Sequence, residues 1–211
     1  KGEEWMVTVT PNDGQVDGPK FSVWTTILNT PPVIVTTTVA PSSGNESSTF
    51  TCASLGDHDA DNDPINFRYQ WSVNSLPSGN SPALDGRNFN RGDVIVCTIT
   101  PNDGEADGLP ISSSPITIGN SGPSILSVMI GPSTPTESAI ITATVSGWAD
   151  ADGDAAQYRY QWWVNNATVS SASQIDGGMF SRGDFIQLDV TPFDGAVAGV
   201  TLRSNQLTVV N

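Results

Sequence analysis

The chain has 211 residues, enough for one or two cores of ordinary size, and its 22 acidic against 8 basic side chains leave a net charge of −14. Such a surface repels a phosphate backbone, which excludes nucleic acid as a partner and favours cations. No apolar run approaches the roughly 18 residues of a membrane helix, and no charged-then-apolar leader opens the segment, so no membrane insertion is expected of it. Of the acidic residues 17 are Asp and 5 Glu, a skew towards the short carboxylate that suits turns and tight oxygen cages. Abundant Ser, Thr, Gly, Pro, Val and Ile predict an all-β chain of strands separated by punctuated turns.

The first predicted element alternates Trp5, Val7 and Val9 and ends in Val9-Thr-Pro-Asn-Asp-Gly14. That hexapeptide returns as Ile99-Thr-Pro-Asn-Asp-Gly104 and Val190-Thr-Pro-Phe-Asp-Gly195, so the chain is an internal repeat with spacings of 90 and 91 residues. Residues 1–30 match only the end of the unit, with Lys1-Gly2-Glu3 aligned on Arg91-Gly92-Asp93. They read as the last two strands, F and G, of an incomplete domain, with Trp5 expected in a core. Two strands bury no sandwich core alone. The missing strands are expected from upstream sequence of a longer protein or, as the alternative, from another chain by strand complementation.

Asn29-Thr-Pro-Pro32 opens the first complete unit, residues 31–120, and Gly119-Asn-Ser-Gly-Pro123 opens the second, residues 121–211. Phe50 and Cys52 alternate on an early strand, Phe67, Tyr69, Trp71 and Val73 on the next, and Ile95, Cys97 and Ile99 on the penultimate one. Each run has the period of two that marks one buried strand face. The second unit repeats the pattern with Tyr158, Tyr160, Trp162 and Val164, then Ile186, Leu188 and Val190. The order Cys52, Trp71, Cys97 is that of the inter-sheet disulfide and strand C tryptophan of immunoglobulin domains. Ala143 and Leu188 stand at the two cysteine positions in the second unit, and joint loss is what a bridge predicts. Pairing implies an oxidising compartment.

Together, Asp59-Ala-Asp-Asn-Asp63 and Asp150-Ala-Asp-Gly-Asp154, the following Tyr-Gln-Trp strand, the basic-Gly-acidic tripeptide and Thr-Pro-Xaa-Asp-Gly resemble the Ig-like, PKD-like and cadherin-like tandem domains of large prokaryotic surface and secreted proteins. The resemblance covers nearly the whole chain. It implies tandem immunoglobulin-like β-sandwiches of Greek-key topology, and an extracellular or cell-surface stalk, adhesin or filament module, often calcium-stabilised.

The Asp-rich segments precede strand C and the Thr-Pro-Xaa-Asp-Gly turns follow strand F, so both fall in the BC and FG loops at one end of a sandwich. Asp59, Asp61 and Asp63 with Asp103, and Asp150, Asp152 and Asp154 with Asp194, are therefore the candidate ligands of a structural Ca²⁺, which takes 6–8 oxygens. An EF-hand is rejected, because its twelfth position is Gln70 or Gln161 and lies in a predicted strand. The plain alternative is that these residues only cap turns. A bound ion at this end is expected to stiffen the array.

Arg91-Gly-Asp93 and Arg182-Gly-Asp184 spell an integrin tripeptide, but the aligned Lys1-Gly2-Glu3 makes a turn into strand F the better reading. Asn45-Glu-Ser47 and Asn166-Ala-Thr168 fit the glycosylation acceptor pattern. Trp163 and Trp148 have Ser72 and Asp57 as repeat counterparts, and an exposed Trp would serve an interface or stack on a sugar. No enzyme is expected: the single histidine, His58, has Ala149 as its counterpart, leaving no triad. The expected role is thus a non-enzymatic extracellular structural or adhesive module whose partners are flanking repeats or other copies. The rivals are a module binding surface glycans or a cell-surface protein, and a filament subunit that donates residues 1–30.

Overall fold

Apolar alternation builds antiparallel sheets throughout the computed structural model, which describes residues 1–211 and divides into two units. The first comprises Lys1–Gly44, Ser48–Phe89 and Asp93–Thr117. Its strands are β1 (Glu4–Val9), β2 (Phe21–Thr26), β3 (Thr36–Ala40), β4 (Thr49–Leu55), β5 (Asn66–Val73), β6 (Leu76–Gly79), β7 (Ala83–Asp85), β8 (Val94–Asn102), β9 (Ile111–Ser112) and β10 (Ile116–Thr117). Strands β1 and β2 form a two-stranded hairpin; β3-β4-β7 form one sheet of the sandwich and β10-β8-β5-β6 the other, with β9 also on β8. Strand order is thus A-B-E in one sheet and G-F-C-C′ in the other, the layers of an immunoglobulin-like sandwich.

The second unit comprises Asn45–Ser47, Asn90–Gly92 and Ile118–Asn211. It repeats this order with β11 (Ser127–Gly131), β12 (Ile141–Ser146), β13 (Gln157–Val164), β14 (Ala167–Ser170), β15 (Gln174–Ile175), β16 (Phe185–Phe193), β17 (Leu202–Arg203) and β18 (Leu207–Thr208). Strands β11-β12-β15 form one sheet and β14-β13-β16-β17 the other, with β18 also on β16.

The inward faces are those the alternation marks. Trp71 pairs with Cys97 and Trp162 with Leu188 across the central strands, and all four are 0 % exposed. Each buried indole keeps a hydrogen-bond acceptor, Trp71 Nε1 donating to the Ser81 carbonyl at 2.9 Å and Trp162 Nε1 to that of Ala172 at 2.8 Å. Cys52 of β4 and Cys97 of β8 form a disulfide that ties the sheets together at a Cα–Cα distance of 6.3 Å. At the matching place in the second unit, Ala143 packs against a core containing Leu188.

Strand G is broken in both units, and a serine fills the gap. The Cys97 amide donates to Ser113 Oγ and the Leu188 amide to Ser204 Oγ, at 3.1 and 2.9 Å. A buried strand F amide without a ladder partner is thereby satisfied. A second repeated device is a close backbone approach. A Cβ on Gly199 would lie 1.8 Å from the Pro123 carbonyl oxygen, and one on Gly108 1.9 Å from that of Pro32. Neither backbone oxygen can move alone, so Gly199→Ala is expected to destabilise the second unit by about 1–3 kcal/mol, measured as a fall in its denaturant midpoint.

The hairpin departs from one expectation. Trp5, Val7 and Val9 are 62 %, 61 % and 58 % exposed, whereas Ile95 and Ile99 at the matching places are 1 % and 0 %. Trp5 is exposed in these 211 residues, its indole donating to Glu3 Oε2 at 3.0 Å. The physical reason is that β1 pairs only with β2: strand alternation sorts the apolar face, but a second sheet is needed to bury it.

Candidate metal centres

Each acidic loop is organised by its first aspartate. Asp59 Oδ1 accepts the amides of Asp61 and Asp63 at 2.8 and 3.1 Å, and Asp150 Oδ1 those of Asp152 and Asp154 at 2.9 and 3.2 Å. These Asx-type turns fold the β4–β5 and β12–β13 connections back on themselves. One oxygen of Asp59, Asp61 and Asp63 each, and likewise of Asp150, Asp154 and Asp194, then lies within 4.8 Å of the others. Asp103 falls outside the first trio and Asp152 outside the second.

The loop after strand F is built alike in both units. Asp103 Oδ1 accepts the Glu105 and Ala106 amides at 2.7 and 2.6 Å, and Asp194 Oδ1 those of Ala196 and Val197, both at 2.6 Å. The other oxygen takes an asparagine amide, Asn29 Nδ2 on Asp103 at 2.7 Å and Asn120 Nδ2 on Asp194 at 2.8 Å. The following residue also docks: Thr30 N donates to Asp61 Oδ2 and Ser121 N to Asp152 Oδ2, both at 2.7 Å. Sequence reasoning missed Asn29, Thr30, Asn120 and Ser121, although Asn followed by Thr or Ser recurs at the same 91-residue offset.

The basic residue of the tripeptide enters the same loops. Lys1 Nζ lies 2.5 Å from Asp63 Oδ2 and 2.6 Å from Glu105 Oε1. Arg91 grips both oxygens of Asp154, and its Nη1 lies 3.5 Å from Asp152 Oδ2. The acidic residue closes the turn, Asp93 accepting from Asn74 Nδ2 and Asp184 from Asn165 Nδ2, each at 2.7 Å.

Protonation follows these contacts. The Asn29 amide first, then the Ala106 and Glu105 amides and the nearby Lys1 charge, hold the Asp103 carboxyl down at about 2. Asp61 is lowered by the Thr30 amide, and Asp194 by the Val197 amide with help from Asn120 and Ala196. Asp152 is the exception, pushed up by burial and by the neighbouring Glu46 carboxylate.

Three oxygens remain without a partner: Asp59 Oδ2, Asp150 Oδ2 and Asp152 Oδ1 are buried and accept no hydrogen bond. Asp59 is 4 % exposed overall, and the Asp152 side chain 0 %. A buried carboxylate oxygen with no donor carries an uncompensated desolvation cost. Hard oxygens in a trio are the donor set of a Ca²⁺-type cation, so the residues present fit such an ion.

The remaining candidates sit elsewhere. Trp148 meets Tyr158 edge-on at 5.8 Å and packs against the core. Trp163 is half-buried, its Nε1 donating to Asp189 Oδ2 at 2.9 Å beneath the Arg203 guanidinium at 5.3 Å. Both rings are half-buried. Asn45 Oδ1 accepts from the amide and hydroxyl of Ser47 at 3.0 and 2.7 Å. Asn166 lies on the exposed β13–β14 turn with φ 66°.

Arg203 also forks onto Asp189, with both contacts at 2.7 Å, and together with Trp163 lowers the Asp189 carboxyl from its ordinary 3.8. A depressed folded-state value contributes stability that is present above the unfolded value and lost as pH falls through the folded one. Asp189→Asn is therefore expected to lower the melting temperature of the second unit at neutral pH, with the difference from the wild type shrinking below about pH 4, as calorimetry across pH would record.

No family model matches the chain, and no curated protein sequence does. Among solved structures, a segment of two fibronectin type-III domains from chicken tenascin is 11 % identical, with a TM-score of 0.43 over 82 % of this chain and 97 % of that one. The FN1–FN3 domains of chicken CNTN1 are 10 % identical, with a TM-score of 0.36 over 99 % of this chain and 76 % of theirs. Three N-terminal domains of the bacteriophage RB49 Highly Immunogenic Outer Capsid protein are 14 % identical, with a TM-score of 0.32 over 83 % of this chain and 59 % of that one. The class defined by strand order, repeat and buried tryptophan is the tandem immunoglobulin-like β-sandwich. No helix is long and apolar enough to cross a membrane.

Proposed function

We propose that the chain is a non-enzymatic spacer of an extracellular repeat protein, whose aspartate loops take up Ca²⁺ to stiffen the loop end of each unit. The observation that carries the reading is the pair of buried, donor-free oxygens on Asp59 and Asp150, each belonging to a trio of carboxylates. The ion would be held by Asp59, Asp61 and Asp63 in one unit and by Asp150, Asp154 and Asp194 in the other. It would supply charge neutralisation and oxygen coordination only. Asn29 and Thr30, which join the hairpin to the first sandwich, donate to carboxylates of the same loops, so fixing those carboxylates also fixes the connection. The disulfide supports an oxidising, extracellular setting.

At tenfold excess over its dissociation constant, calcium is expected to add about 1.4 kcal/mol per site. Melting temperature and hydrogen-exchange protection of the Thr30 and Ser121 amides should both rise with calcium. Identical melting and exchange in calcium and in excess chelator would reject the reading.

One observation favours self-assembly as a second role. Trp5, Val7, Val9, Phe21 and Val23 share an exposed hairpin face, and in the complete unit the matching β8 positions are covered by a second sheet. Strands of a like repeat are the fitting cover. Concentration-dependent oligomers in light scattering that vanish with Val7→Lys would support this role, and a strictly monomeric chain would remove it.

A further inference from the structure

We infer that the cation site of the second unit extends beyond the aspartate trio to Glu46, which acts as an additional carboxylate ligand. The inference rests on the calcium reading and deepens it. Glu46 comes from the β3–β4 connection and belongs to the second unit, whose boundaries include Asn45–Ser47. Its carboxylate is fixed at both oxygens: Oε2 accepts the Ser121 hydroxyl at 2.5 Å and Oε1 the Arg91 amide at 2.7 Å.

Ser121 also donates its amide to Asp152 Oδ2 at 2.7 Å, so one residue brings two carboxylates together. On Asp152 the other oxygen, Oδ1, is buried with no donor, in a side chain that is 0 % exposed. A second donor-free oxygen, Asp150 Oδ2, belongs to the adjoining trio with Asp154 and Asp194.

Charge and geometry point the same way. Of Glu46, Asp150, Asp152, Asp154 and Asp194, only Asp154 and Asp152 have a cationic partner, Arg91, whose guanidinium is committed to Asp154 with one nitrogen 3.5 Å from Asp152. Two converging carboxylates away from water repel while both are ionised, and a cation between them offsets that cost. A hard divalent ion that accepts 6–8 oxygens matches the surplus and the donors. The first unit differs: there Glu105 is the added carboxylate, its side chain is 57 % exposed, and it is paired with Lys1. The second site is accordingly the tighter of the two.

Calorimetric titration of the full chain with calcium, after stripping by chelator, tests this. The wild type is expected to show two classes of site. Glu46→Gln should weaken the tighter class at least tenfold and leave the other unchanged, with the ion-free melting curve unaltered because the glutamine oxygen still accepts the Arg91 amide and its Nε2 donates to the Ser121 hydroxyl, which reverses to accept. Asp61→Asn should weaken the other class alone. If Glu46→Gln leaves both classes unchanged, or weakens one only in step with a loss of ion-free stability, Glu46 is a loop anchor and the inference is overturned. If the wild type binds no calcium, the underlying reading fails with it.

Discussion

Trp162→Ala is expected to destabilise the second unit by about 3–5 kcal/mol, and calorimetry should show that transition falling towards ambient temperature. Trp162 is fully buried, sits between the sheets against Leu188 of β16, and anchors its indole on the Ala172 carbonyl. Truncation removes the largest buried side chain of a unit that has no disulfide, and leaves that carbonyl without its donor. Single domains are stable by only about 5–15 kcal/mol, so the loss is a large share of the total. Trp163→Ala, one residue on but half-buried on the other face, should cost far less. Equal losses at the two positions would contradict the assignment of the buried face.

Removing the Cys52–Cys97 bridge is the second large effect. Its ends are 45 residues apart, and closing a loop of that length stabilises by about 4 kcal/mol in the chain-entropy account. The paired replacement of Cys52 and Cys97 by Ala should therefore lower the first unit's transition strongly. The second unit, with Ala143 and Leu188 at those places, is an internal control and should keep its transition. Reductant added to the wild type should act on the same transition alone.

These effects follow from features plain in the sequence. Period-two alternation identified the buried faces of β5, β8, β13 and β16, and the repeat register located the acidic loops and the cysteine pair. What escaped sequence reasoning depends on how separate segments meet. Trp5 has core-like spacing yet stands exposed, because burial belongs to two sheets and alternation describes one strand. Ser113 and Ser204 carry no local signal of a role; they matter because strand G breaks beside a strand F amide.

Arg91 and Lys1 read as turn residues, and their turns do exist. Their long side chains, however, reach carboxylates some sixty residues further along. Asn29 and Asn120 were legible in principle, since they keep register with the repeat. Glu46 was not, because its counterpart Glu137 accepts the Arg182 amide and nothing in the spacing links Glu46 to Asp152.

The central claim is that the aspartate loops are cation cages rather than turns that happen to be acidic. Diffraction from crystals of the full chain grown in calcium, with anomalous scattering to identify the ion, tests it most directly. The account predicts an anomalous peak within about 2.3–2.6 Å of the oxygens of Asp59, Asp61 and Asp63, and another among Asp150, Asp154 and Asp194. Loops that keep the Lys1–Asp63 and Arg91–Asp154 ion pairs, with no anomalous peak at either place in saturating calcium, would contradict it.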